Sequence, residues 1–189
     1  MTLKMMIYTT HSGFSLTNYF IFVFIIILLF SWFKTRNLPY VACLAIFGVY
    51  ILFLADKTLF PIHISGNFAD MMKSVPFTSQ INLIPFNFRN PSEISYIVRE
   101  LVLNIILLIP FGFGIRFIAP VKIRNIWWLA LVVGSSIEVI QLIISIMIGY
   151  PYRVIDTTDV IMNTLGFLIG YGIFRLLLYI MSPVRRLPD

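Results

Sequence analysis

Long runs of apolar residues alternate with short polar breaks along this chain, and the length of the runs sets the first expectation. A hydrocarbon core of about 30 Å needs roughly 20 apolar residues in a helix. Five stretches approach or meet that need: Leu16 to Phe33, Pro39 to Ala55, Ile97 to Phe117, Ile126 to Ile148 and Val160 to Ile180. The first lacks a small-residue cleavage site and runs directly into Lys34 and Arg36, so it reads as a retained span rather than a signal peptide. The pattern predicts an all-α integral membrane protein of five transmembrane helices.

Around the spans, residues 1–15 form an N-terminal outer segment, 16–181 a single membrane domain and 182–189 a short basic cytoplasmic tail. Orientation follows from the density of Lys and Arg in short loops. Lys34, Arg36, Arg116, Lys122, Arg124, Arg185 and Arg186 crowd the breaks on one side. The basic residues of the other side are interleaved with Asp and Glu and spread over a long connection. The expected arrangement is amino terminus out, carboxyl terminus in. That long connection, 57–96, is too long for a turn and unusually apolar, as Leu59-Phe60-Pro61 and Asn82-Leu83-Ile84-Pro85-Phe86 show. Pro85 argues against a regular helix there. An apolar interfacial or re-entrant segment between the second and third spans is expected, packed on protein.

Composition sharpens this picture. The 189 residues are 59% hydrophobic and only 12% charged, against about a quarter charged in soluble domains. The net charge of +6 lies in clusters between apolar runs, which suits loops held against anionic lipid and not a continuous basic groove. No nucleic-acid partner is expected. Cys43 is alone, and His11 and His63 lie in different flanking segments. Neither a disulfide framework nor a metal site is expected.

Polar residues inside the spans carry the functional reading, because an acidic side chain at mid-membrane costs roughly 2.5–3.5 kcal/mol on insertion scales. Gly134, Glu138, Gln141 and Ser145 recur at helical spacing, so one face of the fourth span packs on protein or lines a wet cavity. In the fifth, Asp156, Asp159, Asn163, Gly166 and Gly170 lie at offsets of three and four and predict a single stripe. Gly166 and Gly170, with Gly134, are helix-packing positions. Arg153 would pair with either carboxylate if the helix began early enough. The acids also suit a helix amino terminus, so caps and ion pairs alone would account for them. Glu100 and Asn104 sit one turn apart in the third span, whose Pro110 frees a carbonyl for a neighbouring helix to satisfy. Placed by depth, these residues gather in the outer half, which predicts an outward-facing pocket formed by Asn82, Asn104, Glu138, Gln141, Arg153, Asp156, Asp159 and Asn163.

Four motifs carry a resemblance. They are Asn82-Leu83-Ile84-Pro85-Phe86; Asn104 followed by Leu108-Ile109-Pro110-Phe111-Gly112; Ser136-x-Glu138-x-x-Gln141; and Arg153-x-x-Asp156-x-x-Asp159-x-x-x-Asn163-x-x-Gly166, ending at Gly170-Tyr171. Over about 60–171 the chain resembles the VanZ-like family of bacterial membrane proteins, whose founding member is linked to resistance to the glycopeptide teicoplanin. The resemblance implies a multi-pass protein of the bacterial plasma membrane with a cell-envelope role. It supplies no reaction.

Three functions compete with a structural or assembly role in which the stripes only glue helices together. The first is binding or handling of a lipid-linked cell-wall precursor or other envelope component, or of a glycopeptide, with membrane lipids as partners and an effect on glycopeptide susceptibility. The second is an enzyme of envelope lipids working through carboxylates, in which case Mg²⁺ enters as a cofactor; otherwise none is expected. No Ser-His or Cys-His arrangement marks a nucleophile, so no catalytic residue is assigned. The third is a small carrier with Glu138 as titrating group, made awkward by five spans without an inverted repeat unless the protein is a homo-oligomer.

Overall fold

The computed structural model describes residues 13–14, 17–64, 66–87, 94–118 and 123–181. The expected outer segment and basic tail lie outside the described residues, except Gly13 and Phe14. Six helices account for most of the chain: α1 (Thr17–Thr35), α2 (Leu38–Leu59), α3 (Asn67–Lys73), α4 (Ile94–Ile118), α5 (Ile126–Ile148) and α6 (Thr157–Met181). Four of them, α2, α4, α5 and α6, are long and apolar enough to cross a membrane. The apolar stretch described in α1 is shorter, Phe22–Thr35.

Helix ends follow local chemistry. The Asn37 side chain accepts from the Tyr40 amide at 3.1 Å, capping α2 just ahead of Pro39 in its first turn. At the far end of α5, Gly149 takes φ 83°, and its amide and that of Tyr150 return to the Ser145 carbonyl.

The bundle is built around α6, which packs on α4 along one face and on α5 along another, while α2 closes the remaining side and carries α1. The seam with α4 is unusually close. A methyl group at Gly166 would strike the Ile105 carbonyl, one at Gly170 the Ile109 carbonyl, and one at Gly112 the Phe167 carbonyl. Gly134 plays the same part between α5 and α6, against Thr164. With no side chains intervening, the two backbones gain dispersion contact, the main attraction between helices in lipid.

Leu54, Leu108, Ala130, Ile137, Phe167 and Tyr171 form the central core. Side chains such as Ile46, Val49 and Met147 point outward, as expected where the solvent is hydrocarbon. Trp127, Trp128 and Tyr179 lie exposed at the end of the bundle where α5 begins and α6 finishes, the placement of an interfacial aromatic belt.

The connection between α2 and α4 is folded, not a loose loop. After α2 come β2 (Ile62–His63), α3, a short 3₁₀ turn at Phe77–Gln80 and β3 (Ile81–Asn82). β2 pairs antiparallel with β1 (Gly13–Phe14), and β3 pairs parallel with β4 (Ile155–Asp156), matching Asn82 with Asp156. Phe60, Ile62, Ala69, Tyr150 and Tyr152 make a second small core beneath it. Pro85 lies in a turn with no regular helix around it, and Leu83, Ile84 and Phe86 are exposed.

Candidate functional site

Where α2 and α5 end and α4 and α6 begin, the helices leave a cavity of about 1020 Å³. Seven of the eight pocket residues expected from the sequence line it: Asn104, Glu138, Gln141, Arg153, Asp156, Asp159 and Asn163. The eighth, Asn82, stands behind the wall and acts through Asp156.

Asp156 is the organising residue of the rim. Its amide donates to Glu138 Oε2 at 3.1 Å, and its Oδ1 accepts from the Thr158 amide at 2.7 Å, capping α6. Its Oδ2 accepts from Asn82 Nδ2 at 2.9 Å. The segment that follows Asn82 then clamps the same helix end. Thr157 Oγ1 donates to the Asn82 carbonyl at 3.2 Å, and the Phe86 amide donates to Thr158 Oγ1 at 2.9 Å. The Asn-Leu-Ile-Pro-Phe run is therefore a clip on the start of α6.

Two expectations need correcting here. Because α6 begins at Thr157, Asp156 belongs to β4 and not to the helical stripe, which consists of Asp159, Asn163, Gly166 and Gly170. For the same reason Arg153 is not held one helical turn from the carboxylates. Its guanidinium donates to the Phe60 carbonyl at 3.0 Å, and the ion pairs among the described residues are Lys57 with Asp56 and Lys73 with Asp70. Arg153 ties the α5–α6 loop to the end of α2.

Deeper in the cavity, Asn104 Nδ2 donates to Asp159 Oδ1 at 2.6 Å, across the glycine seam. Gln141 Nε2 donates to the Thr58 carbonyl at 2.8 Å. Glu138 and Asp159 each spend one oxygen on these protein contacts and keep the other. Asn163 is only 2% exposed, and its Oδ1 has no hydrogen-bond partner. A buried amide oxygen left unsatisfied costs about 1–3 kcal/mol, so it marks a place for a donor from outside the chain. The Tyr152 hydroxyl is buried and unpartnered as well. Burial raises its phenol above the ordinary value, Arg153 opposes the shift and Glu138 adds to it, so the group stays protonated at neutral pH.

The floor is apolar and turns on Pro110. Tyr50 of α2 donates its hydroxyl to the Leu107 carbonyl at 2.7 Å and meets the Phe111 amide. One side chain thus enters the helical ladder that the proline interrupts. Phe111 is wedged between Phe47 and Phe167, with ring centroids 5.3 and 5.8 Å apart.

No group of three His, Cys, Asp or Glu side chains among the described residues is placed to hold a metal ion. Tyr50, Thr58, Tyr152 and Thr158 were not legible as site residues. Only Pro110 hinted at one of them, by loosening the helical ladder beside the Leu107 carbonyl.

The family model described as VanZ/LLP1 matches residues 47–178, more than half of the chain. The chain belongs to the VanZ/LLP1 family. No curated protein and no solved structure matches it. Every residue of the cavity described above falls within the VanZ/LLP1 match, whereas α1 lies outside it. It is thus a VanZ-type membrane protein, and the family's matched region is the unit that builds the cavity.

Proposed function

We propose that this VanZ-type protein sits in the bacterial plasma membrane and binds a lipid-linked envelope component, or a glycopeptide, in the cavity between α2, α4, α5 and α6. The observation that carries the proposal is the unpartnered Asn163 oxygen, set beside Glu138 and Asp159 in a space that a ligand of appreciable size fits. In this reading α1 is a fifth span. Lys34, Arg36, Arg116 and Arg124 gather at the end of the bundle opposite the cavity, which supports reading that end as cytoplasmic and the cavity as outward-facing. An apolar floor of Tyr50, Leu107 and Pro110 suits a binding pocket better than a carrier's path, which needs polar groups at all depths. Changed glycopeptide susceptibility would then follow from handling the envelope component.

The test measures membrane level, glycopeptide sensitivity and lipids retained in native mass spectrometry for Asp159→Asn and Asn163→Leu together. Normal levels with altered sensitivity or lipid retention are expected. Normal levels with neither altered would overturn the proposal. An enzyme acting on envelope lipids is the second reading, favoured by Glu138 and Asp159 each keeping one uncommitted oxygen on the same cavity. Product accumulating from a retained lipid would promote it.

A further inference from the structure

The cavity is not closed on all sides. Phe53 of α2 and Leu103 and Ile106 of α4 line it and are nevertheless 53%, 50% and 54% exposed. Half-exposed lining side chains grouped on α2 and α4 mark the least covered part of the wall. It lies between α2 and α4, above the point where Tyr50 and Phe47 close the two helices against Leu107 and Phe111. Its depth decides what passes through it. Ile106 stands 12 residues from either end of α4 (94 to 106, 106 to 118), roughly 18 Å along the axis at about 1.5 Å per residue. The window therefore opens at the middle of an apolar span, onto hydrocarbon and not onto water. Its rim is apolar, as a lipid chain requires.

Hydrogen-bonding capacity at the inner end is weighted towards acceptors. Four donor side chains are engaged with the protein, Arg153 with the Phe60 carbonyl, Asn104 with Asp159, Gln141 with the Thr58 carbonyl and Lys57 with Asp56, while the unpartnered Tyr152 hydroxyl can donate or accept. The larger part of what is left over accepts: Asn163 Oδ1, the second oxygens of Glu138 and Asp159, and the carboxylate of Glu100 at the mouth. The cavity lining counts four carboxylates, Glu100, Glu138, Asp156 and Asp159, against two cations, Lys57 and Arg153. A bare phosphate finds little welcome there, whereas O–H or N–H groups do.

We infer that the cavity takes a single membrane lipid with a donor-bearing headgroup, hydroxyls of a sugar or polyol or the N–H of an amine, whose chain enters sideways through the gap between α2 and α4. This rests on the lipid reading proposed above and narrows it from a lipid or glycopeptide to a lipid of one headgroup chemistry.

The full chain in phosphatidylcholine vesicles would be photolabelled with three lipids carrying the same diazirine in the chain: a glucosyl diacylglycerol, a long-chain amine and a phosphatidic acid. Labelled positions are read by peptide mass spectrometry. Enrichment at Phe53, Leu103 and Ile106 is expected with the sugar lipid or the amine and not with phosphatidic acid. Whichever of the two labels more strongly names the source of the donor. Asn163→Leu should lower that labelling about three- to tenfold, the loss of one buried hydrogen bond. Ile106→Trp, at a half-exposed position, should block the gap and lower it as well. Equal labelling by phosphatidic acid, or none of the loss on Asn163→Leu, overturns the headgroup assignment. Labelling spread evenly over outer positions such as Ile46, Val49 and Met147 overturns the route. If native mass spectrometry still finds a retained envelope lipid in that case, the pocket reading stands while this inference fails. No retained lipid and no effect of any pocket variant would sink both.

Discussion

Replacing Gly166 by alanine tests the seam that brings α4 and α6 together. The added methyl stands 2.9 Å from the Ile105 carbonyl carbon and closer still to its oxygen, whereas ordinary contact begins at 3.4 Å. The carbon alone would require the backbones to part by 0.5 Å (3.4 less 2.9), the nearer oxygen requires more, and neither can swing aside as a side chain would. A gap of about 0.5–1 Å forfeits roughly a quarter to a half of the dispersion well at each affected contact. Overpacking of this kind costs about 1–3 kcal/mol, and rigid backbone on both sides puts the cost towards the top of that range. Alanine returns about 1 kcal/mol through its helix propensity, so the net loss is about 2 kcal/mol.

Gly172, on the same helix, supplies the control because an added methyl there meets nothing within 4 Å. Gly172→Ala should show the propensity gain alone, about 1 kcal/mol. Reversible unfolding in bicelles, followed by tryptophan fluorescence, should therefore separate the two variants by about 3 kcal/mol. Site geometry gives a second readout, since the 2.6 Å bond from Asn104 to Asp159 crosses this seam. Equal stabilities for the two variants would refute the close-packed seam.

Other substitutions probe the contacts that shape the rim and floor, each by the same unfolding assay. Asp156→Ala removes the α6 cap and the Asn82 partner together and should cost about 2 kcal/mol; an unchanged midpoint would contradict the capping role. Glu138→Gln keeps an acceptor for the Asp156 amide and should stay within about 0.5 kcal/mol of the parent, whereas Glu138→Leu strands that amide at about 1–3 kcal/mol. Equal effects of the two would show that the contact is not formed. Tyr50→Phe strips the Leu107 carbonyl of its donor, and the loss should shrink by about 0.5 kcal/mol or more when Pro110→Ala lets the ladder close. Additive effects would mean that Tyr50 does not serve the proline.

The glycine and amide stripes were legible because a helix repeats every 3.6 residues, so spacing alone places Glu138 with Gln141 and Ser145, and Asp159 with Asn163 and Gly166. The cost of burying such groups in hydrocarbon made them conspicuous. Asp156 was misplaced for a local reason. A residue three positions before Asp159 looks helical by spacing, yet an Asp whose side chain caps the second helical amide stands just outside the helix. Arg153 followed the same error, since its expected partners depended on where α6 starts. For Tyr152 and Thr158 no periodic signal existed, because loop and cap residues take their roles from whatever the chain brings against them.

What the amino-acid order determined by itself was which segments are apolar for long enough to leave water, and which side of each helix carries its polar groups. Both are properties of a single helix in a solvent, so composition and period suffice. The tertiary structure alone decided that Asn82 meets Asp156 across 74 residues, that Tyr50 reaches the Leu107 carbonyl beside Pro110, and that Phe53, Leu103 and Ile106 line the cavity while half-exposed. Those outcomes depend on the distances between separate elements, and the closest approach among them, between α4 and α6, is set by the backbone contact that Gly112, Gly166 and Gly170 permit. A chain read one residue at a time contains the glycines but not the helix they will meet.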